Sequence, residues 1–289
     1  MATKKYVCKV CGYVHEGNEA PAVCPLCKAG ASEFDVVKDG KKEKKGLDTN
    51  SDVYAVVYSV VVVVIVAFLL AFTNSALKST QDANVELDKK KQILSSLNID
   101  VASLENPADK YLEVFADNKD PKTLREYIVD EKGGVKTEGG FDVPNDKIDE
   151  NNLPLYVAKV DGETKYVVPV VGNGLWGAIW GYIALNDDCN TIYGVYFSHA
   201  SETPGLGAEI ASDKFQNRFT DKVTKVFDEN GAVGLTVEKG KSAGEEFHID
   251  AVSGATITCN GVNDMLKRKL APYFEFLKKE GEKNVESAK

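Results

Sequence analysis

Hydrophobic and polar positions along the chain change their rhythm four times. Residues 1 to 37 alternate short apolar stretches with cysteines and close on Phe34-Asp35-Val36-Val37. Residues 38 to 52 are lysine-rich, contain glycine and carry no apolar period, which reads as a linker. From Val53 to Leu77 there is no charged residue, and the run VVVVVIVAFLLAF sits at the centre. That length exceeds the ~20 residues a helix needs to cross ~30 Å of hydrocarbon, so 53–77 is predicted to be a single transmembrane helix in contact with the lipid bilayer. A cleaved signal peptide fits less well, because a cysteine module precedes the apolar run.

Beyond the span, Asn84 to Leu97 places Val85, Leu87, Ile93, Leu94 and Leu97 on roughly one helix face, and Ala108 to Phe115 and Leu124 to Val129 read similarly. The period then shortens. Leu155 to Ala158, Lys165 to Val171, Trp180 to Leu185 and Ile192 to Phe197 are β-branched and aromatic and are bounded by Gly, Asn and Asp, as strands are. A last segment, Gly261 to Lys279, returns Val262, Leu266, Leu270, Tyr273, Phe274 and Leu277 to helical spacing. The predicted fold class is multi-domain: a small metal ribbon (1–37), a linker (38–52), one transmembrane helix (53–77) and an α+β domain (78–289).

Charge fixes the expected orientation. Lys38, Lys41, Lys42, Lys44 and Lys45 lie just before the span and Lys78 alone lies immediately after it. Flanking basic residues stay cytoplasmic and acidic ones count little, so the N-terminus is expected inside and the α+β domain outside, although Lys89-Lys90-Lys91 pulls weakly the other way. A formal net charge of −9 over 289 residues excludes a general nucleic-acid surface.

Four of the six cysteines form two C-x-x-C pairs, Cys8/Cys11 and Cys24/Cys27, with twelve residues between the pairs. Such hairpins present four thiolates in near-tetrahedral array, which suits Zn²⁺ or a mononuclear iron. Disulfides fit poorly on the cytoplasmic side, where thiols stay reduced. Around the thiols, Tyr6, Val7, Gly12, Tyr13, Val14, Pro25, Leu26 and Phe34, with the short spacer holding His15-Glu16-Gly17 and Ala20-Pro21, resemble rubredoxin, most closely the abbreviated domain of rubrerythrins. The resemblance covers residues 5 to 37 and implies iron exchanging one electron. It departs at Lys28, where the family has the glycine that Gly12 supplies after the first pair, and a glycine there would permit φ > 0. His15 reads as a surface residue. Cys189 and Cys259 belong to no motif, and a disulfide between them and two unlinked core thiols are both open.

In the last third, Asp250-Ala251-Val252-Ser253-Gly254-Ala255-Thr256-Ile257-Thr258 leads small residues into an amphipathic helix. Such a turn lets a phosphate approach backbone N–H groups at a helix start. An ordinary helix entry capped by Thr258 or Asn260 would read the same way. The pattern D-x-x-S-G-A-T resembles the recognition sequence of the flavin transferase that esterifies FMN to a threonine through its phosphate. Together with Gly172-Asn173-Gly174-Leu175-Trp176, Glu202 to Glu209 (E-T-P-G-L-G-A-E) and the preceding anchor helix, it resembles the C subunit of the sodium-translocating NADH:quinone oxidoreductase over residues 50 to 280. The G subunit of the Rnf ferredoxin:NAD complex shares the threonine motif and E-T-P-G-L-G, and G-x-G-L-W separates the two.

The resemblance implies an electron-transfer role within a multi-protein assembly that oxidises NADH, reduces quinone and exports Na⁺, in a bacterial inner membrane, without catalysing the overall reaction alone. It implies FMN covalently attached to Thr256, with Asp250 serving attachment. Ser253, Gly254, Ala255 and Thr258 would neighbour the phosphate, and Leu175, Trp176, Thr203, Leu206 and Gly207 would form ring or wall contacts. Strand packing would equally account for Trp176 and Trp180, and a solvated turn for Glu202. The implied partners are the other subunits, the flavin transferase and a cytoplasmic donor to the iron domain. No dinucleotide-binding glycine fingerprint follows a strand, so NADH is not placed on this chain. With the metal site and Thr256 expected on opposite sides of ~30 Å of hydrocarbon, electrons between them would need carriers in other subunits. A reading of another class is a membrane-anchored zinc-ribbon scaffold without flavin.

Overall fold

The computed structural model describes residues 4–37, 49, 51–117, 120, 123–240 and 246–287, in two units, 1–77 and 78–289. Lys38, Lys41, Lys42, Lys44 and Lys45, on which the expected orientation rests, lie outside the described residues.

In the first unit, strands β1 (Lys4–Cys8), β2 (Val14–Gly17) and β3 (Phe34–Val37) form an antiparallel sheet in the order β2-β1-β3. Its core is small: Tyr6, Cys8, Cys24 and Phe34 are buried, with Tyr13, Ala20, Cys27 and Ala29 packed against them. The Tyr6 hydroxyl donates to the Asn18 carbonyl at 3.0 Å, which ties the spacer to the sheet. So little apolar volume cannot hold a domain of this size without a further staple, and a bound metal is the usual one.

Helix α1 (Asp52–Ser96) is continuous for 45 residues, where the sequence pattern suggests a span and a separate helix beyond it. No glycine or proline occurs in it, so nothing stops propagation through the polar stretch 78–84. Valine favours strands, but in hydrocarbon each backbone group must be satisfied within its own segment, and the helix does that. The hydroxyls of Ser59 and Thr73 follow the same rule, donating to the carbonyls of Ala55 (2.8 Å) and Leu69 (2.7 Å) one turn back. The most apolar window of α1 is wholly unburied by protein. The helix ends where Asn98 adopts φ +56, a left-handed terminus of the kind asparagine tolerates.

The second unit is built on a six-stranded antiparallel sheet. It comprises β4 (Glu126–Val129), β5 (Val135–Glu138), β6 (Leu153–Val160), β7 (Glu163–Asn173), β8 (Ala178–Leu185) and β9 (Ile192–His199), ordered β5-β4-β6-β7-β8-β9. Both faces are covered. On one, Ile93 and Leu94 of α1, Leu97 just beyond its end, and Tyr111, Val114 and Phe115 of α2 (Pro107–Phe115) pack on Tyr156, Val167, Tyr182 and Ala184. On the other, Val168, Val170, Ile183 and Phe197 meet Phe215 of the short helix α3 (Asp213–Gln216) and Val262, Met265 and Leu266 of α4 (Thr256–Leu270).

Leu124–Val129, expected on a helix face, is instead strand β4 with its lead-in. Four residues paired on both sides by β5 and β6 gain more from the ladder than from a single helical turn. The predicted last helix is two, α4 and α5 (Phe274–Ser287), because Pro272 lacks the N–H that would continue the first. A parallel pair, β10 (Thr236–Glu238) and β11 (His248–Asp250), feeds the chain into α4. Asn263 on α4 holds Val237 of that pair through both its N–H (2.6 Å) and its carbonyl (2.8 Å). Cys189 and Cys259 are both buried and both free.

Two glycines set how closely α4 lies on the sheet. A Cβ on Gly261 would stand 2.2 Å from the Asn173 carbonyl oxygen, and one on Gly172 would stand 2.8 Å from Cβ of Met265. The start of α4 is thereby pressed against the end of β7, at the tip of the β7–β8 hairpin.

Candidate functional site

The four cysteines come together as the spacing predicts. The sulfurs of Cys8, Cys11, Cys24 and Cys27 lie within 4.8 Å of one another, with Cys8–Cys27 at 3.6 Å and Cys11–Cys24 at 3.5 Å. A tetrahedron of metal–sulfur bonds near 2.3 Å has edges of about 3.8 Å, whereas a disulfide needs about 2.05 Å. The donor set and its size therefore fit a tetrahedral thiolate-bound ion.

Two equivalent knuckles build this cage. Gly12 donates its N–H to the Cys8 carbonyl and Lys28 to the Cys24 carbonyl, both at 2.9 Å. Gly12 has φ +74 and Lys28 φ +58, so the lysine adopts the left-handed conformation that its family gives to glycine. The amides beyond then point at sulfur: Tyr13 toward Cys11, Ala29 toward Cys27. Burial pushes the Cys24 thiol up, while the N–H groups of Cys27 and Leu26 and the neighbouring thiols of Cys11 and Cys27 bring it down to about 7. Against the amides of Tyr13 and Ala29, burial and the neighbouring thiols push Cys11 and Cys27 up. Amide dipoles aimed at sulfur stabilise negative charge there, as a redox-active or structural thiolate site requires. His15 is not part of the four-ligand set.

At the second site, β11 delivers Asp250 to the surface and Arg218 clamps the exit, donating Nη1 to the carbonyls of Asp250 (2.6 Å) and Ala251 (3.2 Å). Gly254 takes φ +83 and turns the chain into α4, and Thr256 stands exposed at the first position of that helix. Ala255 occupies the N-cap position and no side chain caps the helix, so neither Thr258 nor Asn260 caps it. The start of α4 thus offers N–H groups to an anion, and Ser253 is exposed beside it.

Three segments distant in sequence meet here. The hairpin tip closes with the Gly174 N–H on the Gly177 carbonyl at 2.8 Å, and the Ser201 hydroxyl donates to the Trp176 carbonyl at 3.0 Å. In the loop after β9, Thr203 is exposed and its carbonyl accepts from Leu206 and Ala208, both at 3.1 Å. Leu206 reaches the helix turn, where a Cβ on Gly254 would come 2.9 Å from its Cδ2. Leu175, Trp176, Leu206 and Ile257 are all exposed, Trp176 at 66 %. Large apolar side chains gathered in the open around a hydroxyl and a helix start mark a binding surface. Trp180, by contrast, belongs to the sheet, donating Nε1 to Oε1 of Gln92 on α1 at 3.0 Å.

For Glu202 the sequence leaves a solvated turn open, and the fold decides against it. The residue is not a solvated turn carboxylate but is 4 % exposed. It accepts the Trp176 N–H on Oε1 (2.8 Å) and the hydroxyl of buried Thr258 on Oε2 (2.7 Å). Burial pushes its carboxyl up, yet these bonds and the Gly177 amide hold it below the ordinary carboxylate range.

Two family models match the chain, an FMN-binding domain over residues 174–271 and the rubredoxin-like domain of rubrerythrin over residues 6–35. Fold and matches together define a flavin-binding α+β domain joined to a rubredoxin-like metal ribbon. The C subunit of the Na⁺-translocating NADH-quinone reductase of Pasteurella multocida is 36% identical over 217 residues, covering 66% of this chain and 79% of that one. The protein of the same description from Haemophilus ducreyi is 34% identical over 209 residues, with the same coverage. The crystal structure of the Parabacteroides distasonis C subunit superposes with a TM-score of 0.62 at 41% identity, covering 70% of this chain and 96% of that chain. That of Shewanella oneidensis NqrC, at 22% identity, has a TM-score of 0.56 over 68% of this chain and 98% of that one, and it shares the fold. The chain belongs to the family formed by the C subunits of Na⁺-translocating NADH-quinone reductases, as a membrane-anchored member bearing a rubredoxin-like domain.

Proposed function

We propose that this chain is the electron-transferring C subunit of a sodium-pumping NADH:quinone reductase. In this reading FMN is esterified through its phosphate to Thr256 and an iron ion is held by Cys8, Cys11, Cys24 and Cys27. The carrying observation is the convergence of three separate segments on the exposed Thr256. The uncapped start of α4, with Ser253, Gly254 and Ala255 beside it, would offer its N–H groups to a phosphate on Thr256, and the exposed Leu175, Trp176 and Leu206 would supply apolar surface for a flat ring.

Bound flavin would supply one- and two-electron chemistry. The chain's own contribution is positional: the hairpin and the 202–207 loop form the wall, Thr203 and Gly207 line the loop, and Thr258 anchors the helix through Glu202. Asp250, exposed at the end of β11, is accessible to a transferase during attachment. In the metal ribbon the two amide-lined knuckles favour an ion cycling between two charges, and a separate cytoplasmic donor would feed it. The lysine asymmetry around the span supports a cytoplasmic ribbon (1–37), a linker (38–52), one span (53–77) and a periplasmic flavin domain (78–289).

The test is Thr256→Ala produced together with the flavin transferase. The parent chain shows flavin fluorescence in a denaturing gel, and the variant loses it while the metal content stays at one iron per chain. Fluorescence retained by the variant refutes the attachment site, and zinc in place of iron refutes the metal.

A further inference from the structure

One carboxylate touches every segment of the flavin site. Besides its bonds to Trp176 and Thr258, Glu202 donates its backbone N–H to Nδ1 of His199 at 3.2 Å. The chain has made room for it: a Cβ on Gly174 would lie 2.5 Å from Oε1, and one on Gly207 would lie 2.3 Å from Oε2. Among the described residues no lysine or arginine forms an ion pair with it, and its direct partners are N–H groups and a hydroxyl.

A buried ionised carboxylate is costly unless it is hydrogen-bonded, and an amide could have joined the same donors at lower cost. The charge is therefore the feature to explain. Its carboxylate holds the backbone of Trp176, whose side chain stands exposed as do those of Leu175 and Leu206, and at 4 % exposure it is shielded from water, which strengthens charge interactions.

We propose that Glu202 is the positioning residue of the flavin site and that its buried negative charge holds down the reduction potential of the flavin tethered above it, an inference that rests on attachment at Thr256. An electron arriving on the ring brings negative charge toward a fixed carboxylate, so reduction is opposed. At an effective dielectric of ~20 a charge about 12 Å away opposes it about tenfold, and a nearer one by more. Glu202 does this without touching the ring's reacting atoms, by fixing the Trp176 loop and the start of α4 while contributing its field.

The variant that separates charge from packing is Glu202→Gln in the full chain produced with the transferase. Glutamine can still accept from Trp176, and its amide can face a Thr258 hydroxyl turned to accept. The chain should load covalent flavin as the parent does. In an anaerobic reductive titration its first electron should enter at a potential higher by about 59 mV, the equivalent of tenfold for one electron. Glu202→Ala, which also frees the Trp176 loop, should raise the potential and in addition lower the fluorescence anisotropy of the bound flavin. A Glu202→Gln chain whose potential is unchanged or lower, or that folds or loads poorly, overturns the proposal. If the parent chain itself carries no covalent flavin, the failure belongs to the Thr256 reading, and it shows before any variant is measured.

Discussion

Replacing Lys28 by glycine should strengthen the metal ribbon. Lys28 is exposed and sits at φ +58, a conformation that costs an L-residue with a Cβ roughly 1–2 kcal/mol and glycine little. Glycine widens the unfolded ensemble and returns about 0.4–1 kcal/mol of that gain, leaving a net stabilisation of about 0.5–1 kcal/mol. Because metal binding and folding are coupled in so small a ribbon, the gain appears as metal retention, about two- to fivefold in the exchange equilibrium with a chelator. The mirror change, Gly12→Lys, puts a side chain at φ +74 with nothing within 4 Å of its Cβ, so it carries the backbone cost alone. The assay follows thiolate-to-metal absorption of the full chain in detergent under chelator challenge. Lys28→Gly should retain metal better than the parent, Gly12→Lys worse, and the double exchange should fall back near the parent. The absorption maxima should not move, since the Tyr13 and Ala29 amides keep their aim at sulfur. Equal or weaker retention in Lys28→Gly refutes the view that the left-handed turn is the strained element of the second knuckle.

Two further outcomes test the flavin domain. Gly207→Ala puts a methyl group 2.3 Å from Glu202 Oε2 and 2.6 Å from Thr258 Oγ1, both buried and mutually bonded, and should cost about 1–3 kcal/mol in a denaturant melt of the full chain. A parent-like melt would mean that the loop yields. The depressed Glu202 carboxyl stabilises the fold at pH values above its ordinary value of 4.5, and that stabilisation is lost as pH falls through the lower folded value. Thermal midpoints measured downward from pH 6 should therefore fall less steeply in Glu202→Gln than in the parent, and identical acid slopes would contradict this.

What the sequence made legible was local. Two C-x-x-C pairs declare a thiolate cage because each knuckle is a closed turn whose geometry needs only its own residues. The strands of the central sheet declare themselves through runs such as Tyr166 to Val171, and the Ser253 to Thr256 turn through its small residues. The unread features involve distance. Glu202 meets Trp176 and Thr258 across 26 and 56 positions, and no local pattern distinguishes a buried turn carboxylate from a solvated one. The available signal was glycine at 174 and 207, flanking a charge in otherwise unrelated segments. Leu124 to Val129 reads as a helix face in sequence because six residues support either period until their neighbours are known. The continuity of α1 past Leu77 was legible in the absence of glycine and proline, but the switch from apolar to polar hid it.

The central sheet has a consequence for how the flavin domain comes apart. Neighbouring residues of one strand serve different cores: Val167 packs toward α1 and α2, Val168 toward α4. Slipping β7 by a single position would exchange those assignments along its length. Neither apolar layer can therefore melt and leave the other intact, because they share a backbone and a register. The domain should unfold in one step, with the α1–α2 packing and the threonine-bearing helix released together, so a destabilising change on either layer would be felt as loss of the whole.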